Sequence, residues 1–170
     1  TMGAIALLRQ TLLDAQWQRG LLAGDDPRER PEANLALDAL QPVLDGSQRI
    51  VLDTADELDV GRMLAVAGEF GLKPVIEGNG SEYRVLPRLV AAKAPVIVPL
   101  NFPAPPEIER PEAQLNAALA DLQHWEQAPA NPARLAAAGV EISLTTRGLM
   151  DPAKEFWPNL RKAVAAGLSE

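Results

Sequence analysis

The chain has 170 residues, 47% of them hydrophobic and 23% charged, which suits one compact domain with a packed core. No apolar run approaches the roughly 18 residues that a membrane span needs, and a net charge of -7 with scattered Lys and Arg argues against a membrane or nucleic-acid partner. With no cysteine and one histidine, disulfide scaffolds, thiolate zinc sites and cysteine nucleophiles are excluded.

The first third reads as helical. In GAIALLRQTLLDAQWQ, Ile5, Leu8, Leu12 and Ala15 recur at three- and four-residue spacings along one face. GDDPRERP breaks that pattern with prolines and charges and reads as an exposed loop. A second helix is expected over PEANLALDALQPVLDG, with Pro31 suited to its first turn and Gly46 to its end. Residues 1–48 are thus expected as a helical segment preceding 49–170, in one compact domain overall.

From Arg49 the pattern becomes strand-then-helix. RIVLD is a short strand, and ELDVGRMLAVAGEFG is a helix with Val60, Met63, Leu64, Ala67 and Phe70 on one side. KPVIEG is the next strand and SEYRVLPRLVAAK the next helix. PVIVPL is a third strand, and VEISLTT after Gly139 is a fourth, followed by a helix that Gly167 would cap. Each strand is brief and apolar on both faces, as strands covered by helices on one side and core on the other must be. Four βα units imply a parallel sheet with right-handed crossovers. Between the third and fourth strands, NFPAPPEIERP opens a long loop at a strand's C-terminal end, where parallel-sheet enzymes place binding residues. A functional loop and a rim loop stiffened by five prolines from Pro99 to Pro111 are both open readings.

His124, in LQHWEQ, has no second imidazole or thiolate to join it as a metal ligand, and a surface or packing role is expected. No G-x-S-x-G elbow accompanies it. EGNGSEY, residues 77–83, is a glycine-containing turn whose amides could cradle an anion, or simply start a helix through Ser81 and Glu82. Asp53 and Glu77 follow the first and second strands and would share one rim, where they could bind a cation or act as an acid and base pair. They could equally be capping or salt-bridging groups, as could Thr54 and Asp56 before the first long helix. Trp125 and Trp157 are expected as core anchors. The chain opens TMGAIALLRQ, without an initiating Met at position 1, and stops at AAGLSE. An excised piece of a longer protein is expected, which leaves the compartment, cytoplasmic or periplasmic, undetermined.

The segments EFGLKPVIEGNGSEYRVLPRLVAAKAPVIVPLNFP, WEQAPANPARLAAAGVEISLTTRG and EFWPNLRKAVAAGLSE, in that order, resemble the C-terminal half of the barrel in amidohydrolases related to imidazolonepropionase. MGAIALLRQTLLDAQW is similar to a helical segment that bacterial members carry before that half. The resemblance implies a partial (βα) TIM-type barrel, its four strands corresponding to strands five to eight of eight. It also implies a parent that hydrolyses C–N bonds of a small-molecule substrate with zinc or another divalent metal. The family's later ligands would fall on or beside Asp53, near Glu77 and Gly78, and near Thr146 and Arg147. None of these matches the family's residue type, so no metal ligand carries over and no cofactor is expected in this chain alone; Arg147 would repel a cation.

Two readings of the parent follow. One is a metal-dependent amidohydrolase of which this half is inactive alone, and the other a degenerate member kept as a binding or structural module. A third alternative is a free-standing doubly wound domain that binds a small anion. Strand order separates it from a half-barrel, because a doubly wound sheet reverses at a switch point. A half-barrel leaves its edges and inner face unpaired, so a homodimer, or covering by the N-terminal helices, is expected.

Overall fold

A computed structural model of the protein describes residues 2–24, 32 and 34–169. The chain divides into two compact units, Thr1–Ile50 with Leu64–Pro74 and Val51–Met63 with Val75–Glu170.

In the first unit, helix α1 (Met2–Leu22) buries Ile5, Leu12 and Ala15, the stripe its spacing predicts, and continues it with Gln18 one turn on. It packs against two short helices, α2 (Leu35–Asp38) and α3 (Gln41–Leu44). The single helix expected over 31–46 is therefore two separate turns. Asn34 caps the first, its Oδ1 accepting from the Ala36 and Leu37 amides at 3.1 and 3.3 Å. Pro42 starts the second, having no N–H to continue the helix from Asp38. Gly46 ends it in the left-handed region, at φ 74°. Pro31, and most of the expected GDDPRERP loop, lie outside the described residues. Gln18 donates to Asp38 Oδ1 at 3.1 Å and Gln41 to the Ala15 carbonyl at 3.0 Å, tying these helices together. Val43, Val66, Ala67, Phe70 and Leu72 complete the buried apolar set of this unit, and Arg9 pairs with Glu69 at 2.6 Å.

Four strands, β1 (Ile50–Asp53), β2 (Pro74–Glu77), β3 (Val96–Pro99) and β4 (Ile142–Thr145), form one sheet in the order β1-β2-β3-β4. The β2–β3 and β3–β4 pairs are parallel, with Ile76 opposite Val96 and Val98 opposite Leu144. β1 runs the same way beside β2, since the Ile50 amide donates to Lys73 and the Thr54 amide to Glu77, both at 3.1 Å. The strictly sequential order has no switch point, so the doubly wound alternative falls. Helix α4 (Glu57–Phe70) follows β1, and a 3₁₀ turn at Glu82–Arg84 leads into α5 (Leu86–Ala92) after β2. The expected helix over 81–93 starts later because Pro87 fits only its first turn. After β3 the chain is irregular to Arg110, then forms α6 (Pro111–Asn116), α7 (Leu119–Gln127), a 3₁₀ turn and α8 (Asn131–Ala137). Helix α9 (Pro152–Ala165) follows β4, capped by Asp151, whose Oδ1 accepts from the Lys154 amide at 3.3 Å.

Successive strand residues point to opposite faces. Leu52, Ile76, Val96 and Val98 are buried on one face, together with Val60, Leu89, Leu135 and Ala163 from the helices. On the other face Val51 is 54% exposed, and Ser143, in register with Ile97, is exposed too. Trp125 and Trp157 are not core anchors, being 43% and 60% exposed. Trp157 precedes the buried Ala163 by six residues, about 240° around the helix, so it faces outward while Ala163 faces in. Among the described residues no helix is long and apolar enough to cross a membrane.

Candidate functional site at the strand C-terminal ends

A cleft of about 350 Å³ opens where the strands end, lined by residues from the loops after all four strands, including Asp53, Asp59, Asn79, Asn101 and Arg147. Its floor is held by Thr54, whose hydroxyl and amide both donate to the Glu77 carbonyl, at 2.9 and 3.1 Å. Asp56 caps α4 by accepting from the Asp59 amide at 2.7 Å, and Asp59 pairs with Arg62 at 2.7 Å. The Arg147 amide donates to Thr145 Oγ1 at 3.2 Å, and Gly148 turns away at φ 79°.

Three residues that the sequence singled out separately meet here. Arg147 donates from Nη1 to Asp53 Oδ1 and from Nη2 to Asp53 Oδ2, each at 2.8 Å, a bidentate fork. Its Nη1 also stands 2.8 Å from Glu77 Oε1. In a flat sheet β1 and β4 would lie about 14 Å apart, three strand spacings. Asp53 at the end of one and Arg147 just past the other bridge that span by reaching toward each other across the mouths of β2 and β3. The hydrogen bond from Arg147 holds the Asp53 carboxyl below the ordinary carboxylate range, and the bonds to Asp53 and Glu77 raise the guanidinium in turn. Thr146 is exposed outside the cleft, its carbonyl accepting from the Leu149 amide at 3.1 Å in a turn. Gly78 lines the cleft and donates its amide to the Ile97 carbonyl at 3.0 Å.

The EGNGSEY turn does cradle an anion, and the anion belongs to the chain. Glu82 Oε1 accepts from the amides of Asn79 and Gly80 at 2.6 and 2.9 Å. Its Oε2 accepts from Asn131 at 2.5 Å, and Asn79 ties the turn to the Ala55 carbonyl at 2.5 Å. The turn is thereby fixed as a wall of the cleft, with no amide cradle left for a ligand at Glu82. His124 takes the packing role, half-buried with its ring stacked on Tyr83 at 6.2 Å between centroids.

A divalent metal does not fit the donors that this chain brings to the cleft. The two strand-end carboxylates already share the guanidinium of Arg147, and a cation placed between them would face that positive charge at a few ångströms. Among the described residues no group of three or more His, Cys, Asp or Glu is arranged to hold a metal ion. Asp59, Asn79 and Asn101 were missed from sequence. Asn101 had a signal, standing just past the third strand's C-terminal end, whereas Asn79 enters the cleft only through the fold of its turn.

No protein-family model matches the chain, and no curated protein matches it. Among solved structures it is similar to an amidohydrolase from Thermotoga maritima MSB8, with a TM-score of 0.73 and 20% identity, over 99% of this chain and 41% of that one. The chain shares the fold of part of an amidohydrolase. It spans about two fifths of that neighbour's length, and at this identity the likeness concerns the fold, an α/β half-barrel of four parallel strands with flanking helices.

Proposed function

We propose that the chain is a half-barrel piece of an amidohydrolase-like protein that hydrolyses a C–N bond of a small molecule, and that this half walls the substrate cleft without supplying a metal ligand. The observation that carries the reading is the cleft itself: it lies at the C-terminal ends of sequential parallel strands, where barrel enzymes bind substrate. The fold likeness to an amidohydrolase over 99% of the chain supports it. Kinship with imidazolonepropionase-related bacterial hydrolases, and a zinc or other divalent metal held by the remainder of the protein, are the finer parts of the proposal. The exposed sheet face around Val51 and Ser143 is the surface that the rest of a barrel, or a second copy of the chain, would cover.

One observation favours a second reading, a degenerate barrel that binds without hydrolysing: Arg147 sits between the carboxylates at the strand mouths. The test is metal content by plasma mass spectrometry together with C–N hydrolysis of an amide and ureide panel, on the full-length protein. Stoichiometric metal with hydrolysis is the expected result, with the metal content unaffected by Asp53→Asn. A metal-free protein without hydrolysis would move the assignment to the degenerate binder.

A further inference from the structure

Arg147 carries a pair of donors that its own chain leaves unused. A guanidinium has five N–H groups in one plane. The end facing Asp53 is filled by Nη1 and Nη2, and Nη1 also meets Glu77. The remaining edge, Nε–H with the outer Nη2–H, meets no acceptor among the described residues. That edge has the spacing of the two oxygens of a carboxylate. Because two carboxylates already hold the guanidinium in place, little further rotamer freedom is lost when a ligand docks on it.

The charges of the cleft narrow the ligand further. Asp53, Glu77 and Asp59 stand against Arg147 and Arg62, three carboxylates to two guanidinium groups, so the neighbourhood is net negative. A bare anion would be repelled by that excess, whereas a molecule that brings its own positive charge would not. Asn101 adds an exposed side-chain amide without a hydrogen-bond partner among the described residues. A volume of about 350 Å³ admits a small molecule only.

We propose that the cleft binds a small zwitterion, its carboxylate on the Nε/Nη2 edge of Arg147 and its ammonium group against Asp53 and Asp59. The proposal rests on reading the cleft as the mouth of an amidohydrolase-like protein, and it names the ligand class of that mouth.

The test is calorimetric titration of the full-length protein with glycine, β-alanine and γ-aminobutyrate, beside acetate and ethylammonium as single-charge controls. At least one zwitterion binds, at least about tenfold more tightly than either control, and R147K weakens it about tenfold by removing the two-donor edge while keeping the charge. D59N weakens it as well. Uptake of none of the three zwitterions would overturn the proposal, as would acetate binding as tightly as the best of them, or R147K binding unchanged. R147Q serves as the second variant where R147K melts early. Because the readout is binding and not turnover, a full-length protein that binds the zwitterion but hydrolyses nothing would count against the hydrolase reading alone.

Discussion

Asn131 donates its side-chain amide to Glu82 Oε2 at 2.5 Å, and both residues are fully buried. The other Glu82 oxygen takes the Asn79 and Gly80 amides, and Asn131 Oδ1 takes the Tyr83 amide at 2.9 Å. The pair therefore locks the turn after β2 to the start of α8, and that turn is a wall of the cleft. Truncation to Glu82→Ala strands three donors, the buried side-chain amide of Asn131 and the half-buried amides of Asn79 and Gly80, the buried one costing about 1–3 kcal/mol and the other two less. The expected loss is about 3 kcal/mol or more by urea denaturation, with Asn131→Ala losing about 2 kcal/mol. A Glu82→Ala protein within about 1 kcal/mol of wild type would show that water replaces the carboxylate and that the turn is not locked.

Gly78 tests the same lock sterically. A Cβ added there would lie 2.2 Å from Glu82 Oε1 and 2.6 Å from its Cδ, and the carboxylate cannot swing aside without losing its three donors. Gly78→Ala is therefore expected to destabilise by about 1–3 kcal/mol, the range for forcing extra atoms into a packed site. Gly68→Ala, inside α4 with nothing within 4 Å of the added Cβ, is the contrast and should stabilise by about 0.5–1 kcal/mol. Equal effects at the two positions would contradict the geometry.

The sheet was legible because its strands are short apolar runs bounded by Gly, Pro and charge, and helices between them force a parallel arrangement. The face of α1 was legible from its spacing alone. Local chemistry misleads at Pro42, which breaks an apolar pattern that otherwise continues as one helix, and at Trp157, whose helical neighbours suggest burial although its position on α9 turns it outward. At the site, the strand-end positions of Asp53 and Glu77 could be read one by one, as could the loop position of Arg147. Their meeting could not, because Arg147 and Asp53 are 94 residues apart and stand on the first and last strands of the sheet. Glu82 and Asn131, 49 residues apart, carry no local signal of their pairing at all.

His124 makes the stability depend on pH above the carboxylate range. Burial first, then the nearby positive charge of Arg84, hold its imidazole below the usual 6.5, against the opposing pull of Glu82, Asp121 and Glu57. The unfolded chain therefore takes up the proton first as pH falls. The resulting contribution is fully present above about pH 6.5 and is lost as pH falls through the folded value. Urea midpoints measured from pH 7.5 down to 5.5 should fall in wild type and fall less in His124→Gln. Parallel curves for the two proteins would remove His124 as the cause.

The Asp53–Arg147 pair should matter far more for the cleft than for stability. The two side chains are 60% and 47% exposed, so solvent screens the interaction and the pair adds little to stability. Asp53 titrates lower in the folded protein than in the unfolded chain because Arg147 hydrogen-bonds its charged form. Its small contribution is thus present above the unfolded carboxylate pKa, near 4, and is lost as pH falls through the lower folded value. Carbonyl NMR titration of Asp53 should return a depressed pKa that moves back to the ordinary range in Arg147→Met, while the urea midpoint stays close to that of wild type. An Asp53 pKa that does not respond to Arg147→Met would mean that the fork is not formed in solution, and the cleft would then lose the fixed guanidinium on which its ligand preference depends.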